Sequence, residues 1–319
     1  MRVFSMVIAL WVLFALFTDT RGQDGARAVT LDQTIVKAAE QRVKYITEFK
    51  NLLSQESKTI AIFDKKGSVK KTRTIVSTFI VYQLSRDEKS IAEYRNVVTV
   101  DGRKIEDADK RAEDFFERIT KLDSSLKELE KLEGEGSRFD EEISINGFTL
   151  YQAAPLADNI RPSITFRFER EDVVSGSAVY VISYVQSKQS PYIISRGQRP
   201  TGDGNLTLRY DTGMDENDAA IRLNGELWID KVSFQVRREK RNLTVLPEGW
   251  SSPVVLAETV LNYENSDFGI LIPKLIEHTT FDIKKKEKTS AKESKITFVY
   301  DKFTKPDVEV KSSEVKERS

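Results

Sequence analysis

Glu226 and Asp230 stand four residues apart in RLNGELWIDKVSFQV, with Trp228 between them. Apolar and polar residues alternate through this stretch as in a half-buried strand, so the two carboxylates share a face. At ~3.3 Å per residue they lie about 13 Å apart, whereas a glycosidase pair works at about 5 to 9.5 Å. Glu226 and Trp228 sharing a face suits a sugar site, and it equally suits a plain exposed strand. His278 is the one histidine in the chain. A mononuclear zinc hydrolase takes two or more imidazoles, so a standard zinc centre is excluded. A general base near neutral pH remains open to a lone histidine. A serine triad would also need an activated hydroxyl, and no G-x-S-x-G elbow supplies one. His278 therefore reads first as a strand residue, exposed or half packed.

The remaining polar motifs are weaker. Asp64, Asp101, Asp211 and Asp215 stand in turn-like contexts, where aspartate hydrogen-bonds the backbone. TGMDEND is acidic but lacks the twelve-residue calcium pattern, with glycine sixth and glutamate last. GEG at 134–136 and TGDG at 201–204 are not followed by the lysine or helix that a phosphate loop needs. Asn205 and Asn242 each open an Asn-Leu-Thr triplet, a glycan acceptor only in a eukaryotic secretory route. Cysteine is absent, which removes thiol nucleophiles, disulfides, cysteine-held metals and the acyl anchor of a bacterial lipoprotein. No catalytic residue, metal site or cofactor is expected.

These residues must be placed by a chain of 319, with 39% hydrophobic and 31% charged residues, a globular balance. Lys+Arg and Asp+Glu number 50 each, so the bulk charge calls for neither nucleic acid nor an anionic membrane. At the N-terminus, Arg2 precedes an apolar run from Val3 to Phe17 broken only by Ser5. A basic start, a short apolar core and a polar exit describe an export signal, cleaved near Gly22 or kept as an anchor. The run falls short of the ~20 residues of a membrane span. The expected organisation is a signal at 1–22, one domain at 23–310 and a flexible tail at 311–319, in the periplasm or secreted.

Two amphipathic helices are expected. Leu31, Ile35, Ala39, Val43, Ile46, Phe49 and Leu53 recur every three or four residues, behind a Thr30–Gln33 capping box. Ile105, Ala108, Ala112, Phe115, Phe116, Ile119, Leu122, Leu126 and Leu129 form a second stripe in an insertion at about 104–133. It fits a docked helix better than a coiled coil, because the heptads are not sustained. Strands are expected at KTIAIF and its successor across Lys65–Gly67, at IAEYRNVVTV before the Asp101–Gly102 turn, and at FTLYQ. From Ile143 onward they follow one another with turn residues between them. No helical crossover separates the later strands, so an antiparallel meander is expected. KKKEKTSAKESK, 284–295, reads as a solvated hairpin loop or a docking site for a partner.

GELWIDKVSFQVRREKRNLTV resembles a segment of the periplasmic lipoprotein-carrier superfamily, LolA/LppX-like, in which a Trp-containing strand ends in Asp and leads into Val-x-Arg. The matching positions are Gly225, Leu227, Trp228, Asp230, Val236 and Arg238. FGILIPKLIEHTTF and KITFVYDKFTKPDVEV resemble its next strand and its last aromatic strand. IAEYRNVVTVDGRKIEDADKRAEDFF, with FDEEISINGFTLY, resembles uncharacterised exported proteins of acidobacterial type. The resemblance implies a strongly curved antiparallel sheet, a half-barrel, whose concave apolar face is covered by two helices with acyl chains held between. The chain departs from the carriers in its length, its helical insertion and its lack of a lipoprotein cysteine. The fold class expected is thus α+β. The function expected is non-catalytic binding of a lipid or acyl ligand at Phe115, Phe116, Ile119, Trp228, Phe298 and Tyr300, or else an envelope scaffold docking a protein partner. A glycan hydrolase using Glu226 or Asp230 stands third. No nucleic acid partner and no membrane span after signal cleavage are expected.

Overall fold

The computed structural model describes residues 29–50, 52–83, 91–121, 134, 136–140, 148–195, 206–210, 219–284 and 289–305. The export signal, residues 122–133, the TGDG and TGMDEND turns, Asn205 and the 311–319 tail lie outside them. From Leu31 on, the chain forms one compact unit. Among the described residues, no helix is long and apolar enough to cross a membrane.

The elements are α1 (Leu31–Phe49), β1 (Leu53–Phe63), β2 (Val69–Gln83), β3 (Ile91–Val100), β4 (Arg103–Lys104) and α2 (Ala108–Lys121). Two 3-10 turns, Ala154–Leu156 and Arg161–Ser163, precede β5 (Ile164–Val174), β6 (Ser177–Gln186), β7 (Ile193–Ser195) and β8 (Leu208–Tyr210). Then come β9 (Ala219–Asp230), β10 (Val236–Pro247), β11 (Val254–Asn265), β12 (Leu271–Lys284) and β13 (Thr289–Tyr300). Eleven strands make one antiparallel sheet in the order β4-β3-β2-β1-β13-β12-β11-β10-β9-β6-β5, while β7 and β8 form a small parallel pair. The meander from β9 to β13 follows the sequence pattern. β13 then pairs with β1, setting Phe298 opposite Lys58 and Ile296 opposite Ile60.

The strongly curved half-barrel is overturned. The sheet is large and open, neither strongly curled nor closed into a barrel, and it ends at β4 on one side and β5 on the other. Strand number argues for closure only when bare edges have no other protection. Here β4 is two residues long, and α2 lies against β3 behind it. β5 carries Arg167, Glu169, Arg170, Glu171 and Asp172, with a bulge between Phe168 and Arg170 that interrupts a template for further strands.

The two helices do not share a face. Paired residues in antiparallel strands point the same way, so Arg95, Phe79 and Ser54 define one face, and Tyr94 and Ile80 the other. On the first face, Tyr45 and Phe49 of α1 enter the core with Ile75, Phe79, Ile276, Phe298 and Tyr300. Ile35, Ala38 and Ala39 join a second core with Leu156, Ile160, Ile182, Leu223 and Leu227. α2 lies across the other side of β3. Phe115 stacks on Tyr94 with centroids 3.6 Å apart, and Asn96 Nδ2 donates to the Ala108 carbonyl at 2.9 Å. The place expected for the second helix on the covered face is taken by irregular chain, residues 148–163 with both 3-10 turns.

Several local expectations also shift. α1 stops at Phe49, so Leu53 belongs to β1, and Val43 of the predicted stripe is exposed. FTLYQ is turn, not strand. Within 284–295, described residues from Thr289 belong to β13, and Ser294 is buried. The Asp101–Gly102 turn forms as expected, with φ values of 50° and 77°.

Candidate functional site: charged groups under the covered face

The covered face is not uniformly apolar. Three strands direct ionised side chains into it, in phase with core residues: Glu56, Lys58 and Ile60 on β1, Glu93, Arg95 and Val97 on β3, and Glu239, Arg241 and Leu243 on β10. All nine are buried. The pattern is Glu-x-basic-x-aliphatic in each case.

In the first cluster, Arg95 grips Glu56 with Nε on Oε1 at 2.7 Å and Nη2 on Oε2 at 2.9 Å, and Nη1 reaches Glu93 Oε2 at 2.8 Å. Its guanidinium lies 4.9 Å from the Phe79 ring centroid. Glu93 Oε1 accepts the Thr149 amide at 2.9 Å and its hydroxyl at 2.5 Å. Lys58 Nζ donates to Asp140 and, at 3.3 Å, to the Gly136 carbonyl. Burial lowers the Lys58 pKa and raises that of Asp140, against their mutual attraction. Burial alone would lower the Arg95 pKa as well, but the charges of Glu56 and Glu93 hold it well above its ordinary value.

The second cluster repeats the scheme. Arg241 Nε and Nη2 donate to Glu239 Oε1 at 2.8 and 2.6 Å, and Nη2 also reaches the Tyr151 carbonyl at 2.6 Å. Glu239 Oε2 accepts the Ala153 amide at 2.8 Å. From α1, Arg42 Nε donates to the Gln152 carbonyl at 3.0 Å and Tyr45 to the Thr149 carbonyl at 3.0 Å. Burial lowers the Arg42 pKa to about 10, so it stays charged at neutral pH.

The shared partner explains both clusters. Residues 136–140 and 148–153 lie over the sheet without forming a ladder of their own, and unpaired backbone groups buried there would each cost about 1–3 kcal/mol. Carboxylates and guanidiniums on the sheet take the place that water or a neighbouring strand would fill. The groups are latches for the cover.

The residues singled out for chemistry have other work. Asp230 Oδ1 accepts the Val232 and Ser233 amides, both at 2.9 Å, and Oδ2 accepts Arg237 Nε at 2.6 Å, closing the β9–β10 turn. Burial pushes its pKa up, but the bonds from Ser233, Arg237 and Val232 outweigh this and hold it below the ordinary value. Glu226 faces Arg170 at 3.3 Å on the open face. His278 is buried, against the exposed or half-packed place expected. It shares a 2.8 Å hydrogen bond with the Thr259 hydroxyl, and burial followed by the charge of Arg241 lowers its pKa to about 4. Among the described residues, no group of three or more His, Asp or Glu is placed to hold a metal.

Of the six residues expected to line a ligand site, the sheet brings two together. Phe298 and Tyr300 are buried on the covered face. Trp228 pairs with Arg238 and Val181 on the opposite face, packing with Val179 and Val181 under the Arg238 guanidinium. Phe115 is on α2 against Tyr94. Phe116 and Ile119 fall in α2, outside the described side chains. Two clefts of about 10 Å³ each open at the covered face, one between Arg42 and Gln152 and one between Arg73 and Asp140. Each has room for about one water molecule.

No family model matches the chain, and no curated protein matches it. Among solved structures, a DUF1329 family protein from Desulfovibrio piger is similar at 11% identity and TM-score 0.32, over 87% of this chain and 95% of that one. A putative outer membrane lipoprotein-sorting protein domain from Vibrio parahaemolyticus is similar at 8% identity and TM-score 0.32, over 84% and 91%. The Pseudomonas aeruginosa MucA/MucB complex is similar at 11% identity and TM-score 0.17, over 82% of this chain and 93% of that one. At TM-scores this low the likenesses carry no argument about this chain, and none bears on the acidobacterial resemblance.

Proposed function

We propose that this chain is an exported envelope protein that works without catalysis, as a rigid scaffold presenting its strand ends and open face to partners. The observation that carries the reading is the closure of the covered face. Glu56, Glu93 and Glu239 are buried with Arg95, Arg241 and the cover backbone as partners, and the two clefts described at that face each hold about one water molecule. Export rests on Arg2 and the apolar run Val3–Phe17. The test is native mass spectrometry of the protein purified from the envelope. The expected species are the bare polypeptide and its complexes with protein. A stoichiometric small ligand, released only on denaturation, would overturn the scaffold reading.

A second reading keeps the lipid or acyl ligand, at a site that includes Phe298 and Tyr300. One observation favours it: the cover over the aromatic cluster of Tyr45, Phe49, Phe79, Tyr300 and Phe303 is irregular chain held by polar contacts, which can part without unfolding a helix. An acyl chain would gain about 0.8 kcal/mol per buried methylene once the cover moved. Uptake of a fluorescent fatty acid by delipidated protein, weakened in Phe298→Ala, is the expected result on this reading. No uptake removes it.

A further inference from the structure

The register brings the β1–β2 and β10–β11 turns to one end of the sheet, with the end of β12 and the start of β13 between them. β1 and β2 meet at 64–68, β12 ends at Lys284 beside the start of β13, and β10 and β11 meet at 248–253. Lys292 of β13 lies 5.1 Å above the Phe63 ring at the end of β1. The β1–β2 tip exposes Lys65, Lys66, Lys70 and Lys71, with Val69 among them at 56% exposure. Its one acid, Asp64, faces inward to the turn and accepts the Lys66 and Ser68 amides at 2.8 and 2.9 Å. Beside the β10–β11 turn Leu246 is 42% exposed, and the turn itself carries exposed Glu248 and half-buried Trp250. At the opposite end of the sheet acids and bases are interleaved, Glu264 with Lys274, Glu171 with Lys231 and Asp301 beside Lys302.

We propose that this lysine-bearing end docks on an anionic lipid surface. Such an end offers no concave pocket for a peptide. It does offer lysines whose stems can lie along apolar surface with ammonium groups at headgroup level. Val69 and Leu246 stand ready to enter the headgroup boundary, and an indole such as that of Trp250 favours the interface. Each lysine near an anionic leaflet strengthens binding roughly fivefold, so the four of the β1–β2 tip together decide whether the contact holds.

The test is flotation of the purified exported protein with vesicles of phosphatidylglycerol and phosphatidylcholine, against phosphatidylcholine alone. Binding to the anionic vesicles, lost as salt rises through the screening range, is expected. Replacing Lys65, Lys66, Lys70 and Lys71 by Gln should weaken it roughly six-hundredfold. Lys302→Gln with Lys305→Gln, at the opposite end of the sheet, should leave it unchanged. All six side chains are exposed, and circular dichroism verifies that both variants fold. Equal flotation with both vesicle types, no flotation with either, or unaltered flotation of the four-lysine variant overturns the proposal. Assembly of the protein with itself or with a protein partner instead of vesicles does so too.

Discussion

On β10, Glu239 and Arg241 point under the cover while Arg238 and Lys240 point to the open face, and the two pairs live under different rules. Lys240 meets Glu258 at 2.7 Å with both side chains about one third exposed, one rung of a charge ladder that continues through Arg170–Glu226 and Lys295–Glu277. Each such pair is screened by water and contributes about 0–1 kcal/mol. Glu239 and Arg241 lie at 0% and 3% exposure, and each also holds a backbone group of the cover. Removing one member there strands a charge in the interior. The same residue types, one position apart in the chain, are decoration on one side and fastening on the other.

The largest effect that would sharpen this contrast is expected at Arg95. Arg95→Met leaves Glu56 and Glu93 without their shared cation, and a loss of about 3–5 kcal/mol in urea unfolding is expected. Arg170→Ala on the open face should cost no more than about 0.5 kcal/mol. Comparable losses in the two variants would erase the distinction between the faces.

The next effect is a pH dependence. His278 has its folded pKa lowered to about 4, from an ordinary 6.5. The unfolded chain therefore binds the proton first. The histidine's contribution is fully present above pH 6.5 and is lost as pH falls toward 4, by about 3 kcal/mol at most. Denaturant titrations between pH 7 and 4 should show wild type losing more stability than His278→Gln, and equal slopes would place the imidazole in water.

A steric test comes third. A Cβ on Gly225 would sit 1.9 Å from the Lys240 carbonyl oxygen and 2.7 Å from the Tyr184 hydroxyl, on the covered face beside Arg241. Gly225→Ala should cost about 1–3 kcal/mol through forced displacement, read as a lowered thermal midpoint. Smallest is Asp230→Asn, which retains an acceptor for the turn but loses the ion pair with Arg237. About 1 kcal/mol is expected, with no change in oligomeric state or vesicle binding.

Much of the sheet was legible. Turn residues such as Asp101 and Gly102, and the absence of helical crossovers after β9, predict the meander that forms. The covered face is harder to read because charge on a strand ordinarily signals solvent. Glu56 and Lys58 keep step with Ile60, as Glu239 and Arg241 do with Leu243, and that phase was the available signal. It points inward only once a second strand shows the same Glu-x-basic-x-aliphatic order. Trp228 misled for a related reason: on a strand buried on both sides, size and hydrophobicity do not choose a face. The strongly curved sheet rests on the resemblance to the carriers, which leaves open how each edge is protected here. The pairing of β1 with β13 gave no local sign at all, because it joins residues more than two hundred positions apart.

That seam has a kinetic consequence. One of the two neighbours of β1 is β13, so the centre of the sheet cannot close until Thr289–Tyr300 has been made. Contacts of such long sequence separation make for slow folding, with strand borders bare in the meantime. A helper that shields nascent β-segments would meet this protein first at the free side of β1.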